Sequence, residues 1–503
     1  AYAGGVEEAA MLKPADRFWA RLTRGVRVDS KTQDADAQAL DTIIPWLAHD
    51  GMIHLTVPHG LEQYTGAAWG TRDVCQGPVE LLLSLEHDAE VKRILRVVFA
   101  QQYEHEGDWP QWFMLEPYSN IQAREAHGDV IVWPLKALCD YIEATGDFAF
   151  LDEKVAWRGE SDLQRTQRAD PILAHIEKMF ATVEARYVKG THLISYGNGD
   201  WNDSMQPVDP SKRDWMVSSW TVALLYEQAR RYAEILRRAK RPKDARRFDA
   251  AAAAMRADVR RWLTRGGVIA GYGVFSPQGG EPELLLHPDD RATGLRYSLL
   301  PLTQGVIGGL FTQAEAKKSL ALVRKHLMFA DGARLMEKPL AYHGGVETMF
   351  RRAESAAFFG REIGLMYVHS HLRAAEAMSV MGDAQALWDA LMVVNPIAVT
   401  DRLPEATARQ RNTYFSSSDA AFPDRYAASQ DWEKLRAREV AVDGGWRIYS
   451  SGPGLYMNML VRHVFGRRRM FGKRVSEPCL APSHRGAKLT WPRAPSKSAP
   501  RRR

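Results

Sequence analysis

The sequence predicts a mainly α-helical fold, with helical hairpins closing into an α/α barrel and a small mixed, β-containing region at the C-terminal end. Three observations predict it. Amphipathic stretches with apolar residues three and four positions apart recur along most of the chain. Long segments rich in Gly, Trp, Asp and Asn separate alternate pairs of these stretches. Strand-like runs are sparse before residue 440. A barrel of this kind gathers its loops at one end, where a cleft can form.

The elements follow in order. Residues 1–30 read as a short helical lead-in containing Phe18-Trp19-Ala20-Arg21-Leu22. Helices are predicted over 36–50, 79–103, 130–145, 171–188, 216–239, 243–264, 313–328, 363–382 and 384–394. In 216–239, for example, Trp220, Leu224, Leu225, Ala229 and Tyr232 fall along one side. Val268 to Phe275 reads as a strand. Beyond residue 440, Gly445-Trp446-Arg447-Ile448-Tyr449 and Lys488-Leu489-Thr490-Trp491 read as strands around a helix at 453–465. The resulting division is a helical linker remnant (1–30), a barrel (31–438), a C-terminal β-containing region (439–491) and a disordered basic tail (492–503).

Bulk properties narrow the function. The chain has 503 residues, 45% hydrophobic and 25% charged, as expected of a globular protein. No run of 18 apolar residues predicts a membrane span. The start, Ala1-Tyr2-Ala3-Gly4-Gly5, has neither Met nor a signal pattern and reads as the interior of a longer chain. The formal charge is +6, but the last twelve residues hold five basic groups and no acid, so the body is near neutral and nucleic acid is not expected as a partner. Three widely spaced cysteines, Cys75, Cys139 and Cys479, suggest neither a disulfide framework nor a metal motif, and fit a reducing cytoplasm.

Five constellations could hold chemistry. Gly199-Asp200-Trp201-Asn202-Asp203 is a turn with two carboxylates, an amide and an indole. A carboxyl group of raised pKa could protonate a glycosidic oxygen there, with the indole as a stacking face for a sugar. A structural Asx turn over a core tryptophan fits the spacing equally well, whereas the ligand alternation of a calcium loop is missing. Trp69-Gly70-Thr71-Arg72-Asp73 offers donors and acceptors suited to sugar hydroxyls, or a surface ion pair before a helix. Asp108-Trp109-Pro110-Gln111-Trp112-Phe113, with His127-Gly128-Asp129 and Trp133-Pro134 following, reads as an aromatic glycan cleft or as core packing. In His369-Ser370-His371 the two histidines, two positions apart, diverge on a helix; a metal pair is not expected, and each is either an anion donor or a core residue. Tyr449-Ser450-Ser451-Gly452-Pro453-Gly454 leads into a helix, where hydroxyls and free N–H groups can cradle a phosphate, but it lacks the Gly-Lys-Ser/Thr of a nucleotide loop.

Taken together these runs resemble glycoside hydrolase family 94, the inverting β-glycoside phosphorylases, over roughly residues 15–490. The most specific parts are Trp-x-x-Arg-Asp near residue 70 and Gly-Asp-Trp-Asn-Asp near residue 200. Gly60 to Gln76 and Tyr449 to Gly454 are similar to the 1,2-β-oligoglucan phosphorylase subgroup. The resemblance implies an (α/α)6 barrel with Asp203 as proton donor and Asp200 shaping the turn. It implies that Arg72, Asp73 and Trp201 hold the donor sugar, with Asp129 near the cleft and Glu354 as a further sugar contact. His369, Ser450, Ser451 and Gly452 would bind phosphate. Family members usually begin with a large β-sandwich domain, and the resemblance implies that such an N-terminal domain is missing from this sequence. The activity implied is reversible phosphorolysis of β-1,2-linked glucose oligomers to α-glucose 1-phosphate, with inorganic phosphate as co-substrate and no cofactor. The alternatives are phosphorolysis of another β-glucoside such as cellobiose or laminaribiose, inverting hydrolysis with Asp200 or another carboxylate as base, and a non-catalytic glycan-binding fragment.

Overall fold

The computed structural model describes residues 8–30, 34–56, 68–357, 363–364, 366–406, 417–444 and 451–491. Six helices among these residues pack side by side in a closed ring. They are Gly77–Ser84, Trp133–Thr145, Ser219–Arg238, Leu299–Ile307, Val368–Val380 and Ser451–Asn458, each against the next and the last against the first. Further helices pack outside them: Asp88–Phe99, Pro242–Asp258, Gln313–Leu322, Ala384–Val393 and Ala35–Thr56. The sheets are small, two or three strands each. The chain is therefore mainly helical, as its periodicity predicts.

Local physics explains where the elements depart from expectation. The predicted helix over 79–103 is two helices, because Glu86 takes a left-handed conformation (φ 58°) between them. The helix Leu299–Ile307 is buried from Leu299 through Val306, so it shows no polar face and no amphipathic stripe in the sequence. The predicted strand over 268–275 forms as Val268–Ile269 and Tyr272–Val274. The expected strand over 445–449 lies outside the described residues.

The C-terminal region is woven into the helical body rather than appended to it. The helix Ser451–Asn458 closes the ring against Gly77–Ser84. Gly454 permits this: a Cβ there would lie 1.9 Å from the Gly77 carbonyl oxygen. The following hairpin, Arg467–Met470 with Lys473–Ser476, brings Phe471 onto Phe148, their rings stacked at 5.8 Å. Strand Ala487–Thr490 pairs antiparallel with Arg27–Ser30 near the other end of the chain.

Inside the ring lies a buried ionic network. Lys136 bridges Glu80 (2.8 Å) and Asp140 (2.7 Å), and Arg231 bridges Asp140 and Glu143, both at 2.6 Å. Arg373 bridges Glu80 (2.5 Å) and Glu376 (2.7 Å), and Asn458 donates to Glu80 at 2.8 Å. Gln304 donates to Glu227 at 2.6 Å, so all six ring helices contribute a polar group. These charges border a cavity of about 250 Å³ whose opposite wall is Trp133, Trp201 and Trp220. The cysteines are free, with Cys75 and Cys139 buried. No helix among the described residues is long and apolar enough to cross a membrane.

Candidate active site

On the other side of that tryptophan wall the Gly199–Asp203 turn meets the Trp69–Asp73 segment. A three-stranded sheet of Trp69–Gly70, Trp112–Phe113 and Gln122–Ala123 presents the Thr71–Val74 turn of helix. Thr71 anchors it by donating its hydroxyl to the Pro110 carbonyl at 2.6 Å. Arg72 is thereby driven inward, 6% exposed. Its Nη1 donates to both Asp129 oxygens at 3.4 Å and to the Asp200 carbonyl at 3.1 Å; its Nη2 donates to Asp203 Oδ1 at 3.2 Å.

The two candidate acids have opposite surroundings. Asp200 is 1% exposed. Ser218 Oγ donates to its Oδ2 at 2.6 Å, and the Asn202 N–H donates to its Oδ1 at 2.8 Å. Burial pushes its carboxyl up to about 7, only partly offset by the Ser218 hydrogen bond. It shapes the turn and faces no open space. Asp203, with its side chain 27% exposed, is the acid that a ligand can reach. Burial would raise its pKa too, but the Arg72 guanidinium and His127 outweigh that and hold the carboxyl well below the usual range. Arg352 adds a third cation 3.8 Å from Oδ2.

The remaining substrate candidates separate into two groups. Asp73 is half-buried beside Arg72, with its carboxylate folded back toward its own N–H and against Gly70. Burial raises its pKa, against the pull of Arg72. Asp129 is fully buried and accepts from Trp133 Nε1 at 2.9 Å as well as from Arg72. It braces Arg72 and cannot itself meet a sugar. Glu354 is held by its own loop. Its carboxylate accepts the N–H groups of Thr348, Met349 and Phe350 at 2.5, 2.8 and 3.1 Å and the Thr348 hydroxyl at 2.7 Å, organising the 348–350 loop.

Of the two readings left open for the aromatic run, the core one describes its buried members. Trp109, Phe113 and Trp133 are core residues, and Trp109 Nε1 donates to the Val98 carbonyl at 2.9 Å. Trp201 stacks on Trp220 (centroids 5.5 Å apart) and on His369 (4.7 Å), so the stacking expected with a sugar is made with protein rings instead. The two histidines of the His-Ser-His run do diverge. His371 is spent in the core between the Ala333 N–H (3.0 Å) and the Ala390 carbonyl (2.7 Å). His369 lies against Trp201, with Nδ1 3.3 Å from Ser451 Oγ. The structure thus brings His369 and Ser451 together next to the Trp201 turn. Gly452 is buried at the start of this helix, and among the described residues nothing lies within 4 Å of where its Cβ would be. Ser450 lies outside the described residues, as does the 60–67 part of the longer match.

Sequence reasoning did not connect His127 or Arg352 with Asp203, which both face, nor Gln206 with His127, which it meets. His127 stands next to the candidate Asp129 in His-Gly-Asp, and Arg352 two residues before Glu354. Neither spacing points at a residue in the turn at 199–203, because the contacts join loops far apart in the chain.

A family model described as the catalytic domain of the glycosyl hydrolase 94 superfamily matches residues 116–419, more than half of the chain. The chain belongs to the glycosyl hydrolase 94 superfamily. Within it, the chain is 44% identical over 449 residues to a 1,2-beta-oligoglucan phosphorylase from Listeria innocua serovar 6a, covering 89% of this chain and 41% of that protein. It is 27% identical over 150 residues to a solabiose phosphorylase from Paenibacillus borealis, covering 29% of this chain and 17% of that one. The chain therefore spans about two fifths or less of the length of these relatives. Among solved structures it resembles a glycosidase in complex with glucose (TM-score 0.50, 12% identity, 85% of this chain and 98% of that one). It also resembles a family 78 rhamnosidase from Bacillus sp. GL1 (TM-score 0.52, 11% identity, 89% and 36%). At such identities the likeness is one of fold.

Proposed function

We propose that this glycosyl hydrolase 94 chain is the catalytic part of an inverting phosphorylase of β-1,2-linked glucose oligomers, built on an (α/α)6 barrel. The observation that carries the reading is the meeting of His369 and Ser451 at 3.3 Å beside the turn that bears Asp203. An anion cradle next to a reachable acid is what phosphorolysis requires. The closed ring of six helices supports the barrel, and the Listeria innocua relative supports the linkage.

In this reading Arg72 and Asp73 hold the donor glucose and Asp203 protonates the departing oxygen. Phosphate, held by His369, Ser450, Ser451 and the backbone at Gly452, attacks the anomeric carbon from the opposite face and gives α-glucose 1-phosphate. Phosphate is already anionic, so no protein base is needed; the cradle supplies positive charge and hydrogen-bond donors instead. Hydrolytic inversion would need a second carboxylate aimed at a water, with the two groups about 6.5–9.5 Å apart. Asp200, the candidate base, is buried and engaged by Ser218 and Asn202, which disfavours that alternative. No cofactor beyond phosphate enters the scheme.

The test is incubation with β-1,2-glucooligosaccharides, with and without phosphate, beside cellobiose and laminaribiose. Glucose 1-phosphate should form from the β-1,2-linked substrate and only with phosphate present. Asp203→Asn should lower turnover by at least about 10²-fold while oligosaccharide binding persists. Sugar release without phosphate, or near-normal turnover in the variant, would sink the reading.

A further inference from the structure

We propose that His127 is the proton-holding partner of Asp203: the two side chains share one proton, which rests on the imidazole while the site is empty and passes to the carboxyl group for delivery to the departing oxygen. This rests on the reading of Asp203 as general acid, and it answers a difficulty in that reading. Three cations face Asp203: Arg72, His127 and Arg352. Such a carboxylate does not keep a proton of its own in the empty site.

The geometry places the proton next door. His127 Nδ1 lies 3.3 Å from Asp203 Oδ1 and 3.1 Å from the Asp200 carbonyl oxygen. Both neighbours are acceptors, so Nδ1 carries a hydrogen. His127 Nε2 lies 3.0 Å from the Gln206 side-chain amide. That amide donates to a neutral imidazole, and with its oxygen turned inward it accepts from an imidazolium. His127 can therefore hold one or two hydrogens without losing either partner.

The ring is also built into its place. The Gly128 N–H donates to the Gly199 carbonyl at 2.8 Å, and the His127 N–H donates to Gln111 Oε1 at 2.8 Å. A Cβ on Gly199 would sit 3.1 Å from the imidazole, and Gly199 has a φ of 150°, so the turn leaves room for this ring and little else. The charged groups that face it are Asp203 and Arg72, with Asp129 and Asp200 behind them and Arg352 beyond Asp203. Glu125, Arg213 and Arg351 line a cavity of about 160 Å³ that His127 and Gln206 also border. Burial lowers the imidazole pKa, but the Asp203 contact outweighs it and the net direction is upward.

The step balances. The Nδ1 proton moves to Asp203, and the carboxyl proton moves to the glycosidic oxygen, which keeps the electron pair of the broken bond to the anomeric carbon. A phosphate oxygen supplies the pair for the new bond. Hydrogenphosphate loses its proton to solvent on becoming the sugar phosphate dianion, and solvent returns one proton to the imidazole, restoring the imidazolium. His127 touches no substrate in this scheme and acts through Asp203, as a positioning residue.

Two measurements test it. The first follows the His127 imidazole by NMR in the substrate-free protein. Its titration midpoint should fall in Asp203→Asn, because the carboxylate that holds the proton is gone. The second is the pH profile of kcat/KM in His127→Asn, which keeps an N–H near the position of Nδ1 but cannot hold a second proton. We expect kcat to fall at least about 10²-fold with KM nearly unchanged, and the alkaline limb to move to lower pH, since Asp203 must then supply its own proton. An unmoved midpoint overturns the proposal, as does a loss of kcat with the alkaline limb in place. The NMR titration does not depend on the nucleophile, so a failure to form glucose 1-phosphate would count against the phosphorolytic reading alone.

Discussion

At the scale of single residues, the two aspartates of one turn are set apart by what surrounds them. Asp200 is buried with a hydroxyl and an N–H, and Asp203 with cations. The Asp200 pKa, raised to about 7 from an ordinary 3.8, makes a prediction. Between those values the folded chain keeps a proton that the unfolded chain has lost, so stability falls as pH rises from 4 to 7 and is level above. The full effect is about 4 kcal/mol, at roughly 1.4 kcal/mol per pH unit. Asn at 200 would present a carbonyl to the Asn202 N–H and an amide to Ser218, as the protonated acid does. Asp200→Asn should therefore gain on the parent protein as pH rises through that window, read from urea midpoints at pH 5 and pH 8. Parallel behaviour of the two proteins would contradict the raised pKa. The sequence showed two acids in a dense turn and could not rank them by spacing. The ranking depends on Ser218, Arg72 and His127, which reach the turn from three distant segments. Asp129 and Glu354 were visible as candidates near the cleft, but the sequence does not show that Glu354 accepts four hydrogen bonds from its own 348–350 loop.

At the scale of elements, helical periodicity revealed the helices with one polar face and missed the one without. The helix Leu299–Ile307 is buried all round because it lies in the inner ring, and only tertiary packing explains it. The other ring helices carry charges, such as Glu80 and Arg373, for which helical periodicity alone sets no partner. They face inward and neutralise each other across the ring. Glu80 is the joint of this network, touching Lys136, Arg373 and Asn458. Glu80→Gln keeps the shape and removes the charge, leaving two buried cations with a partner fewer. It should cost about 3–5 kcal/mol, seen as a lower denaturation midpoint with the far-UV spectrum unchanged. A loss below 1 kcal/mol would mean that water in the cavity screens the network.

At the scale of the whole molecule, the general fold class was legible because amphipathic helices dominate the chain. The place of the C-terminal segment was not. A helix flanked by strand-like runs suggests a separate unit, whereas Ser451–Asn458 is the sixth side of the ring, seated on Gly77 by the missing side chain of Gly454. That contact has a consequence for biosynthesis. The Gly77–Ser84 helix leaves the ribosome long before its neighbour at 451–458, some 370 residues later. At 5–20 residues per second the wait is on the order of 20–75 s. During that interval the first ring helix has an uncovered flank, and the strand at 27–30 has no partner until 487–490 is made. The last tenth of the chain therefore acts as the latch of the whole assembly. A ribosome stalled after residue 440 would hold a nascent chain with five sides of its ring and an open seam, the form most exposed to chaperones and proteases.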